Sequence, residues 1–357
     1  MGTPIDLSPA EALLTQSPMV LPADRGPASA ALLDILSGEA DAAGTLAAEV
    51  SAALESTPDI VFDDDLQLTL FCLYELHYGG IRDVSDDWEW DTALLAARGR
   101  IERAFEAALR ARVPLPERPE PTAKAVAARL FEFTAADTGP SMSRFVAKKA
   151  THEQVAEFLT LRSIYTLKEA DPHSWAIPRL SGRAKAALVE IQADEYGGGR
   201  PTRMHSAIFP RTMSAAGLDP AYGTYVDAVP AVTLASVNLI SMFGLHRRLR
   251  GAIVGHLAAY EMTSSVPSRL YGDGLRRLGF DQDATWYYDE HVEADAVHEQ
   301  IAAHDMAGGL VEAEPALLDD VLFGAAAGLA VDGWATERTM AAWAAGDSAL
   351  RTPAAVR

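Results

Sequence analysis

The sequence predicts an all-α protein in two parts, a smaller helical region followed by a bundle of long helices. Three observations carry this reading. Ala and Leu dominate the 357 residues while β-branched runs are few and short, a composition that favours helix over strand. Helical periodicity fills the second half in long stretches separated by Gly and Pro turns. Between the parts, Pro114, Pro116, Pro119 and Pro121 crowd residues 112–122, where no helix can continue, so this segment reads as a linker. With 49% hydrophobic residues, each part can bury a core of its own.

Taken in order, residues 1–27 carry Pro4, Pro9, Pro18, Pro22 and Pro27 and are expected to form a flexible N-terminus. Helical patterning runs over 28–54. A second helix is predicted over 65–78, with Gly79 and Gly80 as its C-cap, and a third, rich in Ala and Arg, over 89–111. Residues 28–120 are therefore expected to form an N-terminal packing or dimerisation domain, with a homodimer as the assembly. The main domain, 121–357, is predicted to hold helices near 122–133, 141–147, 151–170, 181–196, 203–216, 220–243, 246–271, 283–304 and 315–345.

The formal net charge of −20 argues against a nucleic-acid partner, because phosphate binding needs basic surface. The first 31 residues lack a basic stretch followed by an apolar one, so no signal peptide is expected and the cytoplasm is the default. A single cysteine, Cys72, excludes an internal disulfide and suits a reducing compartment. The longest apolar run, 228–245, is interrupted by Pro230, Thr233, Ser236, Asn238 and Ser241, and reads as a buried helix rather than a membrane span. No membrane partner is expected.

The sharpest local feature is His291-x-x-x-Asp295-x-x-His298. At 100° per residue these side chains fall within about 60° of one another on one helix face, and two imidazoles with a carboxylate suit a transition metal. Taken alone, an acidic solvated face that aligns two histidines explains the motif as well. Glu261 shares its face with Val254, Leu257 and Ala258, so its carboxylate should point inward, where a charge needs a partner such as a metal. Glu195 lies on the face of Leu188 and Ile191, and Glu169 on that of Ile164 and Tyr165. Singly, each of these reads as a capping or surface glutamate, and His205, after Gly197, Gly198 and Gly199, as a packed or surface histidine. His173 is expected at the surface or just behind the ligands, and His246 and His256 outside the metal set. Tyr165, Tyr260 and Tyr287 are expected first to pack in the core, with donation of hydrogen bonds just behind the ligands as the alternative. Glu75 and His77 point to different faces of their helix and are not expected to be ligands.

Together, the order and spacing of Glu169, Glu195, His205, Glu261, His291, Asp295 and His298 resembles the ligand pattern of the heme-oxygenase-like diiron oxidases and oxygenases, over roughly residues 122–345. The pattern is most similar to the amine N-oxygenase branch, which also sets a glutamate and an extra histidine ten residues apart, as Glu195 and His205 are here. The segment 62–90 is similar to the helical region that precedes this core in relatives. No cupin-like β domain is expected after this core, a departure that would remove the second iron chemistry of a cupin-bearing member.

The resemblance implies a heme-oxygenase-like bundle and an enzyme that activates O2 at two iron ions held by those seven residues, Glu195 being a candidate bridge. It also implies N-oxygenation of a small amine or guanidine-like nitrogen to a hydroxylamine or nitro product in natural-product biosynthesis, with an electron donor. Oxidative carbon–carbon cleavage or desaturation of an amino or fatty acid is the alternative reaction. A non-catalytic helical interaction protein is the alternative class. A ferritin-like diiron bundle would show paired Glu-x-x-His motifs, and the sequence has none. One tetrahedral zinc would not use seven ligands. Cys72 precedes the linker, which disfavours an enzyme of the same architecture with a cysteine nucleophile.

Overall fold

The computed structural model describes residues 17–39, 43–136 and 139–351, except for the side chains of residues 43 and 293–296. Among the described residues every named element is helical, and a parallel bridge between Met19 and Ile81 is the one strand-like pairing. The all-α class predicted from composition holds. Of the expected flexible N-terminus, residues 1–16 lie outside the described ones. Beyond them, Met19 is buried, and Arg25 donates to the Val226 and Val229 carbonyls at 2.6 and 2.9 Å.

The first part comprises α1 (Pro27–Leu36), α2 (Ala43–Ser56), α3 (Asp64–Glu75) and α4 (Thr92–Arg112). Asp63 starts α3 by accepting from the Leu66 N–H, and Asp91 starts α4 by accepting from the N–H groups of Ala93 and Leu94. After the proline-rich segment come α5 (Ala123–Ala135), α6 (Met142–Lys148), α7 (His152–Thr166), α8 (Asp171–Ser174), α9 (Gly182–Glu195) and α10 (His205–Ala215). The chain then forms α11 (Ala231–Leu245), α12 (Arg250–Arg277), α13 (Gln282–Gln300), a π-helical stretch Ile301–Gly308, α14 (Gly309–Ala313) and α15 (Leu318–Ala345).

Several boundaries differ from the sequence reading, among them the helix expected over 246–271, which runs Arg250–Arg277, and three differ for evident local reasons. The helix expected over 151–170 ends at Thr166, and Ala170 takes a positive φ of 75° before Pro172 opens the next turn. The helix expected from 220 begins only at Ala231, directly after Pro230. The helix expected over 283–304 widens into π geometry at Ile301, a distortion that concentrates near functional sites and leaves no periodic signal in sequence.

Helix α11 is buried along nearly its whole length, and no described helix is long and apolar enough to cross a membrane. Its core is shared with the first part: Leu68 and Phe71 of α3 belong to the same apolar cluster as Leu239 and Phe243 of α11. The closest helix pair is α12 with α15. A Cβ added at Gly255 would meet the Val321 carbonyl oxygen at 1.9 Å, and one at Gly324 would meet that of Ala252 at 1.9 Å. Glycine at both positions lets the backbones touch, which fixes where α12 presents Glu261.

Candidate metal centre

Five stretches converge on one cluster. Glu169 comes from the turn after α7, Glu195 from the last residue of α9 and His205 from the first of α10; Glu261 comes from α12, and His291 and His298 from α13. One ligand atom from each of Glu169, Glu195, His205 and His291 lies within 4.8 Å of the others, and the same holds for Glu195, Glu261 and His298. Glu195 belongs to both groups. Donors sharing an ion at bonds of about 2 Å lie at most about 4 Å apart, so each group is within about an ångström of a coordination shell. Six of the seven predicted residues are thus brought together. The seventh, Asp295, lies on α13, and its side chain falls outside the described residues.

The approach of Glu195 to His205 needs a break in the chain. An unbroken helix would set them about 15 Å apart along its axis. Instead α9 ends at Glu195, and Gly197, Gly198 and Gly199 take φ values of 68°, 59° and 77° before short turns lead into α10. Only glycine adopts that conformation at little cost. The break places His205 Nδ1 2.9 Å from Glu195 Oε2. Both atoms are buried, and their angles do not meet those of a hydrogen bond. They therefore face each other as two electron-pair donors do around a third partner, and a metal ion fits that requirement.

The two α13 histidines are held in orientations suited to the same task. His291 Nδ1 lies 2.7 Å from the Tyr287 carbonyl oxygen, which can only accept, so the proton sits on Nδ1. The other nitrogen, Nε2, then faces Glu169 Oε1 at 3.7 Å. His298 Nε2 donates to Asp194 Oδ2 at 2.9 Å and turns Nδ1 to within 3.5 Å of Glu261 Oε2. Such outer hydrogen bonds fix ring orientation in metal-ligating histidines.

The electrostatics couple the carboxylates of the cluster to its imidazoles. Burial disfavours charge on His298, but Glu261 and Asp194 raise its pKa to about 9. Burial likewise opposes ionisation of Glu195, yet His205, His291 and His298 hold its carboxyl well below the usual range. A metal bound here displaces the imidazole protons and takes over their role. Carboxylate oxygens with imidazole nitrogens are a donor set that iron accepts.

Around the cluster, Tyr287 fills both roles weighed for it: it is buried in the apolar core, and it donates its hydroxyl to Glu169, 2.8 Å from Oε1 and 2.7 Å from Oε2. Its position one turn before His291 on the same face was the available signal. His173 and His256 are buried and paired through Nε2 and Nδ1 at 3.1 Å; burial drives His173 down to about 4 and His256 well down, so both are neutral. His246 meets Glu102 at 2.8 Å, far from the cluster in sequence and role. His77 contacts Glu89 and Arg98, and Glu75 pairs with Lys168 in a buried ion pair. A cavity of about 220 Å³ adjoins the cluster, and Glu169, Glu195, Glu261 and His291 form part of its wall.

Residues 156–333, which contain every residue of the cluster, match the family of iron-containing redox enzymes. A nitrosourea synthase from Streptomyces achromogenes subsp. streptozoticus is 30% identical over 148 residues, 41% of this chain and 31% of that protein. The match thus spans about a third of that relative's length. Helical architecture, a buried Glu/His cluster and the family match coincide in the same residues, and the chain belongs to the heme-oxygenase-like family of iron-containing redox enzymes and is an oxidoreductase.

Proposed function

We propose that the chain is a non-haem diiron oxygenase that uses O2 to N-oxygenate a small amine or guanidine-like nitrogen. The observation that carries the reading is Glu195, whose carboxylate is common to two donor groups, Glu169/His205/His291 and Glu261/His298. Two metal sites with a shared carboxylate account for that arrangement, and Asp295 completes the proposed ligand set. The synthase relative supports nitrogen as the atom oxidised, since a nitrosourea bears an oxidised nitrogen.

When bound, two ferrous ions supply two electrons and open positions for O2. The overall balance is amine plus O2, two electrons and two protons, giving hydroxylamine and water. Restoring the ferrous state needs an external electron donor. The chain's own residues fix the geometry. Tyr287 holds Glu169 through both carboxylate oxygens, Asp194 and the Tyr287 carbonyl orient the two imidazoles, and Phe209 and Leu257 line the cavity with apolar surface.

The test is anaerobic titration with Fe(II), then O2 and a panel of amino acids, amidines and aminoimidazoles followed by mass spectrometry. Two irons per chain and a product heavier by one or two oxygens on nitrogen are expected. A capacity that stays at one iron under excess Fe(II) overturns the diiron centre. Cleaved or desaturated products instead assign the alternative reaction.

A further inference from the structure

Glu169 sits in a turn whose backbone is strained. After α7 ends at Thr166, Ala170 takes a φ of 75° and a ψ of −31°. Alanine avoids that half of conformational space because its Cβ crowds the following carbonyl. Among the described residues Asp83 is the one other non-glycine residue with positive φ, and aspartate tolerates it better. A conformation of this kind persists only where its surroundings hold it, and such positions gather at functional sites. Here the strained residue directly follows a residue of the carboxylate–histidine cluster.

The group that holds it comes from α9. The Gln192 amide is buried and donates through Nε2 to the Ala170 carbonyl at 2.9 Å and to Ser174 Oγ at 2.8 Å. Ser174 Oγ lies 2.8 Å from the Tyr196 hydroxyl, which donates to Asp171 Oδ1 at 2.8 Å. The Tyr196 proton is thus committed to Asp171, so Ser174 donates to Tyr196 and accepts from Gln192. One directed chain from Gln192 through Ser174 and Tyr196 to Asp171 ties α9 to the turn. Gln192 lies one helical turn before Glu195 and Tyr196 directly after it, while Ala170 and Asp171 directly follow Glu169. The chain therefore links the two stretches whose carboxylates come within 4.8 Å of each other. The Gln192 Oε1 is buried with no hydrogen-bond partner. Turning the amide over would set that oxygen against the Ala170 carbonyl, so the unpaired acceptor follows from committing both N–H groups to the turn.

We infer that Gln192 is a positioning residue of the metal centre, holding Ala170 in its strained turn and so setting Glu169 opposite Glu195. It acts through the backbone of the turn. Without it the turn relaxes in the metal-free protein, and iron binding has to restore the strain. The inference rests on Glu169 and Glu195 as metal ligands and is independent of which atom of a substrate is oxidised.

The experiment is anaerobic equilibrium dialysis of the full chain against Fe(II), comparing wild type, Gln192→Met, Ala170→Gly and the double variant. Methionine keeps the length of glutamine and donates no hydrogen bond. The preference of alanine against positive φ is worth roughly five- to thirty-fold, so Gln192→Met should bind Fe(II) more weakly by about that factor. Glycine adopts the same φ freely, so Ala170→Gly alone should stay within about twofold of wild type. For the same reason Gln192→Met/Ala170→Gly should recover most of the affinity, which a mere packing role of Gln192 would not allow. A Gln192→Met affinity within about twofold of wild type, or a loss undiminished in the double variant, overturns the positioning role. If Gln192→Met does not fold, Ser174→Ala breaks the same chain at its half-buried middle. It should lose at least about threefold in affinity and regain it with Ala170→Gly, and failure of either result overturns the role equally. Wild-type protein that takes up no Fe(II) removes the centre and the inference together. Normal uptake by both wild type and Gln192→Met removes the positioning role and leaves the centre standing.

Discussion

The buried pair of Glu75 with Lys168 gives the most direct test of how the first part of the chain supports the centre. Glu75 ends α3, and Lys168 immediately precedes Glu169; their side chains are 1% and 3% exposed. The Lys168 Nζ also lies 4.4 Å from the ring centre of Tyr78, 5.1 Å from that of Phe71 and 5.6 Å from that of Tyr222. Glu75→Gln removes the anion and leaves the ammonium among these rings. Breaking one side of a buried pair costs about 3–5 kcal/mol, and the ring contacts return roughly 1 kcal/mol to the stranded ammonium. A loss near 3 kcal/mol is expected, which lowers the melting temperature by roughly 6–12 °C at 2–4 °C per kcal/mol.

Calorimetric melting of the metal-free protein measures this, with Fe(II) capacity determined in parallel. Iron capacity should stay at the wild-type value, since Glu75 is not among the clustered ligand atoms. The double variant Glu75→Leu/Lys168→Met should recover most of the loss, because both charges leave together. A melting temperature of Glu75→Gln within about 2 °C of wild type refutes the pair as a stabilising contact. Lost iron capacity in a folded protein refutes the exclusion of Glu75 from the centre.

Four further outcomes follow from particular contacts. Tyr287→Phe strips Glu169 of its hydroxyl donor and should weaken Fe(II) binding about tenfold by equilibrium dialysis; unchanged affinity would show that Glu169 needs no such support. His205→Ala should retain one tightly held iron while Glu195→Ala loses both, because Glu195 alone is common to the two donor groups; equal losses in metal analysis contradict the sharing. Gly197→Ala places a Cβ 2.6 Å from the Arg203 backbone at a φ of 68° and should cost about 2–4 kcal/mol in urea unfolding, against about 1–2 kcal/mol for Gly198→Ala, whose Cβ meets nothing within 4 Å. Burial pushes Glu102 up, but His246, Arg98 and Tyr74 hold it below its ordinary 4.5, so its stabilisation is present above that pH and lost on acidification; Glu102→Gln should be less stable than wild type at pH 7, with the gap closing as the pH falls below 4.5 and through the lowered value.

Much of the centre could be read from sequence because its ligands sit where helical periodicity makes them conspicuous. Glu261 interrupts an apolar face of α12, so its inward orientation followed from spacing, whereas His291 and His298 on α13 fitted a solvated face equally well until the family resemblance joined them to the set. The triple glycine with Pro201 announced the break that brings Glu195 to His205, and positive φ at all three glycines is its physical form. What spacing could not supply is any contact between residues distant in the chain. The pairing of Glu75 with Lys168 spans 93 residues, and that of Tyr287 with Glu169 spans 118. Such pairs depend on which helices become neighbours, and periodicity says which face is buried without saying against what.

Arg162 shows the same limit from the other side. In sequence it is one arginine among many, on a helix whose amphipathic character is weak because both of its sides are covered. An exposed, solvated guanidinium is the expectation for such a residue. In the structure it stays accessible and lines the cavity formed where α7, α12, α13 and α15 meet. The ligands of the proposed centre are constrained by coordination chemistry and so recur at recognisable spacings. The residues facing the substrate are constrained only by its shape and charge, and any helix that borders the cavity can supply them. The reaction class is therefore inscribed in local patterns along the chain. The choice of substrate resides in how those helices pack around the cavity.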